Sequence, residues 1–335
     1  MRISIIDHGG KSDFAYRRDQ PWKSFFEELF ERGHELVSFS ESPDFVIFMN
    51  DSKKIRTFLR RKNPKVFLFL IIWESPSTKP NDFKESNLQD FDFIFSPSPY
   101  WIGSFSGTLF NWPQSIKLNW NGNFDEWAKR KKEIAVFASN KYSFVASELY
   151  STRRKLIAEL GVRIDVYGRF WNPSFQTLMG LMRAIRSFLT NPYLKGFSFK
   201  QHALVSPICY KGIAATKMPL LDYRACLVVE NDTGYVSEKL FDAISYGCLP
   251  LYVGPDLDDF GLSNDLVIRI NNPNEVSKLL DQIEMYPETY FSKIESNIQF
   301  FESNNCKEFF NVNVLRKIAN DICRQIDLCG GSNDR

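Results

Sequence analysis

The sequence lacks the long hydrophobic run that a membrane-spanning helix requires. Its longest apolar stretch, VFLFLIIW from Val66 to Trp73, is well short of the roughly 20 residues needed to cross a bilayer, and it predicts a buried strand instead. The N-terminal segment MRISIIDHGGKSD reaches Asp7 before an apolar core can build, which argues against a signal peptide. We therefore expect a cytoplasmic protein, a soluble bacterial or viral-type form or one without its membrane anchor, with peripheral membrane contact at most.

Metal-binding and redox motifs are also scarce. The three histidines, His8, His34 and His202, are too scattered for a histidine-based metal site. None of the six cysteines belongs to a CxxC pair, so buried free thiols in a reducing compartment are expected rather than a zinc site or a disulfide framework. No GxGxxG or GxxxxGK(S/T) motif occurs, which leaves dinucleotide oxidoreduction and P-loop hydrolysis without support.

The sequence also lacks a large excess of positive or negative charge. The chain has 42 Lys and Arg against 40 Asp and Glu, a formal charge of +2, which is too small for a dedicated nucleic-acid binder. This balance still allows a local basic pocket for a pyrophosphate. With 335 residues, 44% of them hydrophobic and 31 of them Phe, the chain can build two compact domains with aromatic-rich cores.

Short apolar runs alternate with helical patterns, which is typical of parallel sheets covered by helices. In the first half we predict helices at Trp22–Arg32 and Lys53–Lys62, and strands at Arg2–Asp7, Leu36–Phe39, Phe45–Met49, Val66–Trp73 and Phe91–Phe95. In the second half we predict helices at Ser147–Leu160 and Val236–Tyr246, and strands at Ile134–Ser139, Arg163–Tyr167, Ala225–Glu230, Leu249–Val253 and Leu266–Ile270.

The periodic pattern dissolves between residues 111 and 132 (NWPQSIKLNWNGNFDEWAKRKK), where we expect an interdomain linker. The predicted fold is α/β, with two Rossmann-like, doubly wound domains facing across a cleft. The first domain spans residues 1–125, the second spans residues 133–305, and a C-terminal helix and tail occupy residues 306–335. Ligands in such folds bind at the carboxyl ends of the strands.

The segment from Tyr223 to Pro255, YRACLVVENDTGYVSEKLFDAISYGCLPLYVGP, carries the clearest chemical signal. A predicted strand runs into a polar turn, and a helix begins near Tyr235. A helix N-terminus offers N–H groups and a partial positive charge that suit a diphosphate. Lys239 adds a full charge, and Glu238 can accept hydrogen bonds from sugar or ribose hydroxyls. By residue type alone, a capping turn with a solvated ion pair explains the segment about equally well.

The same residues resemble the donor-binding signature of the α-1,3/1,4-fucosyltransferases, glycosyltransferase family 10. That signature reads E-N-x-x-x-x-Y-V-(S/T)-E-K-(L/I), then G-x-(V/L/I)-P-(V/I/L)-Y-x-G; this chain reads ENDTGYVSEKL and GCLPLYVG, with one residue fewer before the Tyr. The resemblance implies a GT-B-like fold whose second domain binds a nucleotide sugar and whose first domain faces the acceptor. The Tyr, Glu and Lys positions contact GDP-fucose in that family. The candidate donor-binding residues in this motif are Glu230, Asn231, Tyr235, Val236, Glu238 and Lys239.

A second resemblance covers the strand-end Ala138-Ser139-Asn140, the helix SELYSTRRKLIAEL and the strand VRIDVYGR. They are similar to the family's strand, serine-asparagine pair, arginine-bearing helix and DVYGR strand. The resemblance implies that Ser139 and Asn140 line the donor site. It also implies that one arginine, Arg153 or its neighbour Arg154, binds the pyrophosphate. By residue type alone, the two arginines belong to a solvated helix face.

In the first half, FLIIWESP resembles the family's strand that ends in a glutamate before a turn. The resemblance implies that Glu74 is the general base, because an inverting transfer needs a carboxylate that takes the proton of the attacking hydroxyl. A strand-end glutamate bonded to its own turn is the simpler alternative.

These resemblances imply an inverting fucosyltransferase that moves fucose from GDP-fucose to a glycan hydroxyl and forms an α-1,3 linkage, in glycan biosynthesis or protein glycosylation. The predicted catalytic residues are Glu74, Lys239 and Arg153. No metal ligand and no obligatory cofactor are predicted, and a divalent Mn or Mg ion would only stimulate the reaction. The alternatives are the same fold with another nucleotide sugar, such as GDP-mannose, or a catalytically silent sugar- or nucleotide-binding module.

Overall fold

The computed structural model describes residues 1–7, 22–103, 105–114, 117–172, 175–190 and 206–330. These residues group into two compact units. The first unit comprises Met1–Ser75, Asn81–Gln114 and Lys307–Arg335, and the second comprises Pro76–Pro80 and Ser115–Cys306. His8, His202 and the tail at 331–335 lie outside the described residues.

Strands and helices alternate along most of the described chain. The strands are β1 (Arg2–Ile6), β2 (Glu35–Leu36), β3 (Phe45–Met49), β4 (Phe67–Ile71), β5 (Phe93–Ser96), β6 (Gly107–Leu109), β7 (Ile134–Phe137), β8 (Ile164–Tyr167), β9 (Tyr210–Gly212), β10 (Ala225–Val229), β11 (Leu249–Val253) and β12 (Ile268–Arg269). The helices are α1 (Lys23–Glu31), α2 (Lys53–Lys62), α3 (Glu85–Leu88), α4 (Pro99–Ile102), α5 (Phe124–Ala128), α6 (Tyr150–Leu160), α7 (Phe175–Thr190), α8 (Glu238–Ser245), α9 (Pro273–Met285), α10 (Pro287–Glu302), α11 (Asn304–Lys307) and α12 (Asn311–Gly330).

The first unit contains a six-stranded sheet in the order β2-β1-β3-β4-β5-β6. Every neighbouring pair of strands is parallel. All five residues of the central strand β3 are buried, as expected for a parallel strand with both faces covered. The helices α1 and α12 pack together and bury their apolar sides against the sheet, so the last helix of the chain completes the core of the first unit.

An aromatic cluster encloses the carboxyl end of β4. The ring centroid of Trp73 lies 5.5 Å from that of Trp22, 5.3 Å from that of Phe110 and 5.8 Å from that of Trp112. Aromatic pairs at these separations are favourable contacts beyond their buried area. The cluster therefore fixes the backbone immediately before Glu74.

The second unit contains a six-stranded parallel sheet in the order β12-β11-β10-β7-β8-β9. All five residues of β10 are buried. Its residues Leu227 and Val229 pack in one core with side chains of α6, α9 and α10. The helix α8 lies against β10 and β11. The carboxyl ends of β7 and β10 are therefore neighbours in the centre of this sheet.

The predicted fold class is confirmed, since both units are parallel α/β sheets. The predicted bounds of α2, β3 and β11 coincide with the observed ones. The prediction of a strand at Leu36–Phe39 is wrong beyond Leu36, because Ser38 caps a 3₁₀ turn at Phe39–Glu41. The sequence also missed β6 and β9, three-residue strands at sheet edges whose residues are only partly buried or exposed, and it missed α7. Such edge strands carry no continuous apolar run.

Candidate active site

The carboxyl end of β10 leads into the first turn of α8. Ser237 is the N-cap of this helix: its backbone is extended and its hydroxyl accepts a hydrogen bond from the Lys239 N–H at 3.5 Å. Because Ser237 takes the capping conformation, α8 begins at Glu238 and not at Val236, the predicted start. The positive end of the α8 dipole thus lies beside the turn that follows β10.

The buried Glu230 side chain is hydrogen-bonded to the start of α8. Its side chain has no exposed surface, and its carboxylate accepts hydrogen bonds from the Ser237 N–H at 3.0 Å and the Ser237 hydroxyl at 2.5 Å. The Lys239 ammonium donates to Glu230 Oε2 at 3.4 Å and to Ser237 Oγ at 2.8 Å. A buried carboxylate requires such partners. Glu230 therefore positions Lys239 and the helix start.

Arg153 connects the carboxyl ends of β7 and β10. Its Nη2 donates to the carbonyl oxygens of Val229 at 2.6 Å and Glu230 at 3.1 Å and to Asn231 Oδ1 at 3.1 Å. Its Nη1 donates to the carbonyl oxygen of Ser139 at 3.3 Å. One guanidinium thus bonds to both strand ends, and the planar, five-donor geometry of arginine suits such a contact.

Arg153 is a buried cation. Only 2% of its surface is exposed, and its Nε–H has no hydrogen-bond partner among the described residues. Burial lowers the pKa of the Arg153 guanidinium, and Tyr150 and Glu230 oppose that shift. Arginine remains charged in proteins even so. The positive charge of Arg153 therefore lies against the turn that follows β10.

The neighbouring Arg154 contacts a different turn. Its Nη1 donates to the carbonyl oxygen of Lys141 and, at 3.5 Å, to Asn140 Oδ1. Its guanidinium lies 4.3 Å from the centre of the Tyr142 ring. Both arginines are buried, so the alternative of a solvated helix face is wrong. Arg154 holds the turn after β7, whereas Arg153 reaches the turn after β10.

The remaining candidate residues of the motif lie in the same turn. Tyr235 and Val236 are buried, and Asn231 Nδ2 donates to the Tyr235 hydroxyl at 3.0 Å. The first-turn residue Glu238 is exposed. Desolvation raises the pKa of Glu238, but the charge of Lys239, the backbone N–H and further lysines outweigh it and lower the pKa overall. Glu238 is therefore an ionised hydrogen-bond acceptor at the rim of the turn.

Sequence reasoning missed the residue that closes this turn, Asp232. The side chain has no exposed surface and accepts hydrogen bonds from the Ser147 hydroxyl at 2.8 Å, from the Gly234 N–H at 3.1 Å and from the Ser77 hydroxyl. Burial raises the pKa of Asp232, and these hydrogen bonds only partly offset the shift. Ser77 belongs to Pro76–Pro80, which groups with the second unit. No sequence signal joins Ser77 to Asp232 because they are 155 positions apart.

Lys217 is a second residue that sequence reasoning missed, and its side chain is cationic. Its ammonium lies 2.9 Å from Asp242 Oδ2, one turn along α8 from Glu238, and 5.2 Å from the centre of the Phe137 ring at the end of β7. The Phe137 ring stacks on Tyr167 with centroids 4.5 Å apart. This part of the sheet edge is therefore aromatic as well as cationic.

Glu74 lies in the first unit, three residues after the last residue of β4. The chain before it is fixed by Asn50, whose Oδ1 accepts a hydrogen bond from the Trp73 N–H at 3.1 Å. Asn50 has a positive φ of 80°, a conformation that asparagine tolerates better than most residues. Glu74 is half-buried, and within the described residues of the first unit its carboxylate makes no hydrogen bond or ion pair.

Comparisons with known proteins identify the fold. No family model and no curated protein matches the chain. Among solved structures, an α1,3-fucosyltransferase is 15% identical with a TM-score of 0.54, covering 89% of this chain and 82% of its own. Anabaena HepE, solved with UDP and glucose, is 12% identical with a TM-score of 0.56, covering 97% and 100%. An α-glucosyltransferase solved with UDP-glucose and DNA is 10% identical with a TM-score of 0.53, covering 96% and 99%. The fold is that of the GT-B glycosyltransferases.

Within this GT-B fold, the described residues hold no group of three or more His, Cys, Asp or Glu side chains arranged to bind a metal ion. All six cysteines lie in the described part of the chain and are free thiols, four of them buried. None of the described helices is both long enough and apolar enough to cross a membrane.

Proposed function

We propose that this GT-B protein is an inverting glycosyltransferase that moves fucose from GDP-fucose to a glycan hydroxyl and forms an α-1,3 linkage, in the cytoplasm. The observation that carries the proposal is the arrangement of Lys239, Arg153 and the N-terminus of α8 around one turn at the carboxyl end of β10. Open parallel sheets bind their ligands at this edge. The donor-binding motif of the fucosyltransferases falls on the same turn.

The donor diphosphate would bind at the first turn of α8. The N–H groups of that turn, the α8 dipole and the Lys239 ammonium would carry its negative charge. Arg153 would add a buried positive charge beneath the turn, where low polarity strengthens the attraction. Glu238 would accept hydrogen bonds from ribose or fucose hydroxyls, and Ser139, Asn140 and Tyr235 would shape the nucleotide pocket.

The chemical step would be a single displacement. The acceptor oxygen would attack the anomeric carbon, Glu74 would take the proton of that hydroxyl, and the bond from the anomeric carbon to the phosphate oxygen would break. The electron pair of that bond would leave with GDP, and the β-linked donor would give an α-linked product. Lys239 and Arg153 would stabilise the charge that develops on GDP, and such preorganised electrostatics are commonly the largest catalytic contribution.

A second candidate donor is UDP-glucose. The similarity to Anabaena HepE has a TM-score of 0.56 over 97% of this chain, and the similarity to the fucosyltransferase has a TM-score of 0.54 over 89%. Both comparisons concern the fold alone. The motif from Glu230 to Leu240 favours GDP-fucose, so the two donors are best separated by experiment.

The test is a thermal-shift screen with GDP, UDP, ADP and CMP, followed by product mass spectrometry with GDP-fucose, GDP-mannose and UDP-glucose on mixed glycan acceptors. A nucleotide at about 100 times its Kd stabilises the folded state by about 2.7 kcal/mol. We expect this shift with GDP only, and a mass gain of one deoxyhexose only with GDP-fucose. A shift with UDP and a hexose product would replace the donor assignment. Binding of GDP without turnover of any donor would show that the protein is a catalytically silent nucleotide-binding module.

A further inference from the structure

The segment Pro76–Pro80 begins two residues after Glu74 and groups with the second unit. Its Ser77 side chain is buried. Its Thr78 hydroxyl lies 3.1 Å from the hydroxyl of Tyr150, the first residue of α6. Connecting segments are usually exposed and mobile, whereas the hydroxyl groups of this one are bonded to side chains far away in the sequence. The segment that follows Glu74 is therefore fixed to the second unit.

Asp232 binds this segment through its carboxylate. The carboxylate accepts hydrogen bonds from both the backbone N–H and the hydroxyl of Ser77. The oxygen that accepts the Ser77 hydroxyl also accepts the Ser147 hydroxyl at 2.8 Å, and the other oxygen accepts the Gly234 N–H at 3.1 Å. Asp232 has no exposed surface, and a buried carboxylate requires such donors. Two of these bonds come from the residue three positions after Glu74.

The turn that carries Asp232 is fixed by backbone hydrogen bonds of its own. The Thr233 N–H donates to the carbonyl oxygen of Ser147 at 2.9 Å. The Leu149 N–H donates to the carbonyl oxygen of Asn231 at 3.1 Å. These bonds hold the turn on both sides of the carboxylate. The turn therefore stays in place when its contact with the segment is lost, whereas the segment loses an anchor.

Glu74 lies between two fixed points of the chain. Trp73 precedes it and packs in the aromatic cluster at the end of β4, with ring centroids 5.3 Å, 5.5 Å and 5.8 Å away. Ser77 follows it, and since three residues span at most about 11 Å, the Cα atoms of Glu74 and Ser77 lie within that distance of each other. A catalytic group that is misplaced by about 1 Å can lower a rate by about 10²-fold. Both anchors therefore bear on where the Glu74 carboxylate lies.

We propose, on the basis of the function proposed above, that Ser77 and Asp232 are positioning residues for the transfer reaction. Their hydrogen bonds hold the Glu74 carboxylate in the orientation in which it takes the proton of the acceptor hydroxyl. Both residues act through Glu74 and not on the reacting atoms. Loss of the Ser77 hydroxyl therefore lowers kcat and leaves the affinity for GDP unchanged, since Arg153 and Lys239 are held by other residues.

The experiment compares Ser77→Ala with Ser147→Ala in the full chain. Each variant removes one hydroxyl from the same carboxylate oxygen of Asp232, but only Ser77→Ala releases the segment that follows Glu74. With the donor that the parent turns over, we expect kcat of Ser77→Ala to fall about 10- to 100-fold, while calorimetric titration gives an unchanged Kd for GDP. The loss in Ser147→Ala should be about tenfold smaller. Ser77→Thr keeps the hydroxyl and should lose less kcat than Ser77→Ala.

A double-mutant cycle with Glu74→Gln separates positioning from a general loss of stability. If Ser77 acts through Glu74, the variant Glu74→Gln/Ser77→Ala should lose no more kcat than Glu74→Gln, because the base that Ser77 orients is already absent. Independent losses would multiply instead. Hydrogen exchange of the parent adds a measurement that requires no turnover: the Ser77 amide, which donates to Asp232, should exchange at least about tenfold more slowly than in an unstructured peptide.

Several results would overturn the positioning role. They are parental kcat in Ser77→Ala, equal losses of kcat in Ser77→Ala and Ser147→Ala, and losses that multiply in the cycle with Glu74→Gln. A Ser77 amide that exchanges as fast as in an unstructured peptide would overturn it from the parent alone, even where Ser77→Ala does not fold. Absence of turnover in the parent with every donor would instead refute the proposed function, and the role of Ser77 with it.

Discussion

The Lys239 ammonium lies 3.4 Å from a carboxylate oxygen of Glu230, a residue with no exposed surface. Lys239 itself is 12% exposed in its side chain. The pair thus joins a buried anion to a cation that reaches the surface of the α8 start. The buried Glu230 carboxylate would thus hold the Lys239 ammonium in a fixed orientation before a diphosphate binds.

Removing Lys239 should destabilise the protein through Glu230. In Lys239→Met the buried carboxylate keeps only its bonds to Ser237, and breaking a buried pair from one side typically costs about 3 kcal/mol. The double variant Glu230→Gln/Lys239→Met should be more stable than Lys239→Met, because a neutral amide is cheaper to bury. Urea unfolding measures both values. Equal stability of Lys239→Met and the parent would show that the pair contributes nothing.

Replacing Glu74 should remove turnover and leave donor binding intact. Glu74→Gln keeps the size of the side chain but cannot take a proton, and general-base catalysis contributes about 10²- to 10⁴-fold. We expect kcat to fall by that factor while the GDP-induced thermal shift is unchanged. Glu85→Gln, at an exposed position in the same unit, is the control and should retain full activity. Full activity in Glu74→Gln would remove Glu74 from the mechanism.

Substitutions of Arg153 and Arg154, the two arginines of α6, should differ in their effect on GDP binding. Arg153→Lys loses the forked contacts to Val229, Glu230 and Asn231, so the stabilisation by GDP should disappear and the stability should drop by about 2 kcal/mol. Arg154→Lys should lower stability by a similar amount and retain the GDP shift, since Arg154 contacts Asn140 and Lys141 instead. Calorimetric titration with GDP measures the difference. The reverse result would assign the pyrophosphate to Arg154.

Asp232 should make stability fall as pH rises. Burial raises the pKa of Asp232 above 3.8 in the folded protein, so between the unfolded and the folded pKa the folded state binds more protons, and its stability decreases with pH. Asp232→Asn removes this dependence, and its melting temperature relative to the parent should rise from about pH 4 upward and then level off.

Ser77→Ala provides the complementary measurement. The Ser77 hydroxyl lowers the pKa of Asp232, so without it the pKa should rise further and the decline in stability should extend to higher pH. The prediction fails if the melting temperatures of the parent, Asp232→Asn and Ser77→Ala depend on pH in the same way. The pKa of Asp232 would then be the same in the folded and the unfolded protein.

Local patterns in the sequence were sufficient for the fold class and for most of the central elements. Strands such as β3 and β11 are continuous apolar runs that have to be buried, and α2 has its apolar residues at helical spacing, so these elements could be predicted without neighbours. The edge strands β6 and β9 could not, because their short exposed sequences form strands only when β5 and β8 supply hydrogen-bond partners.

The sequence by itself determined where the candidate chemistry lies: the run from Glu230 to Lys239 between a buried strand and a helix, and Glu74 after another. Only the tertiary structure decided what those side chains contact. In the folded chain the buried Glu230 carboxylate pairs with Lys239, and Arg153 and Arg154 contact different turns. The hydroxyls of Ser77 and Ser147 both donate to Asp232. The physical reason is that buried polar groups must find partners, and the partners available at one strand end come from chain segments far apart in sequence.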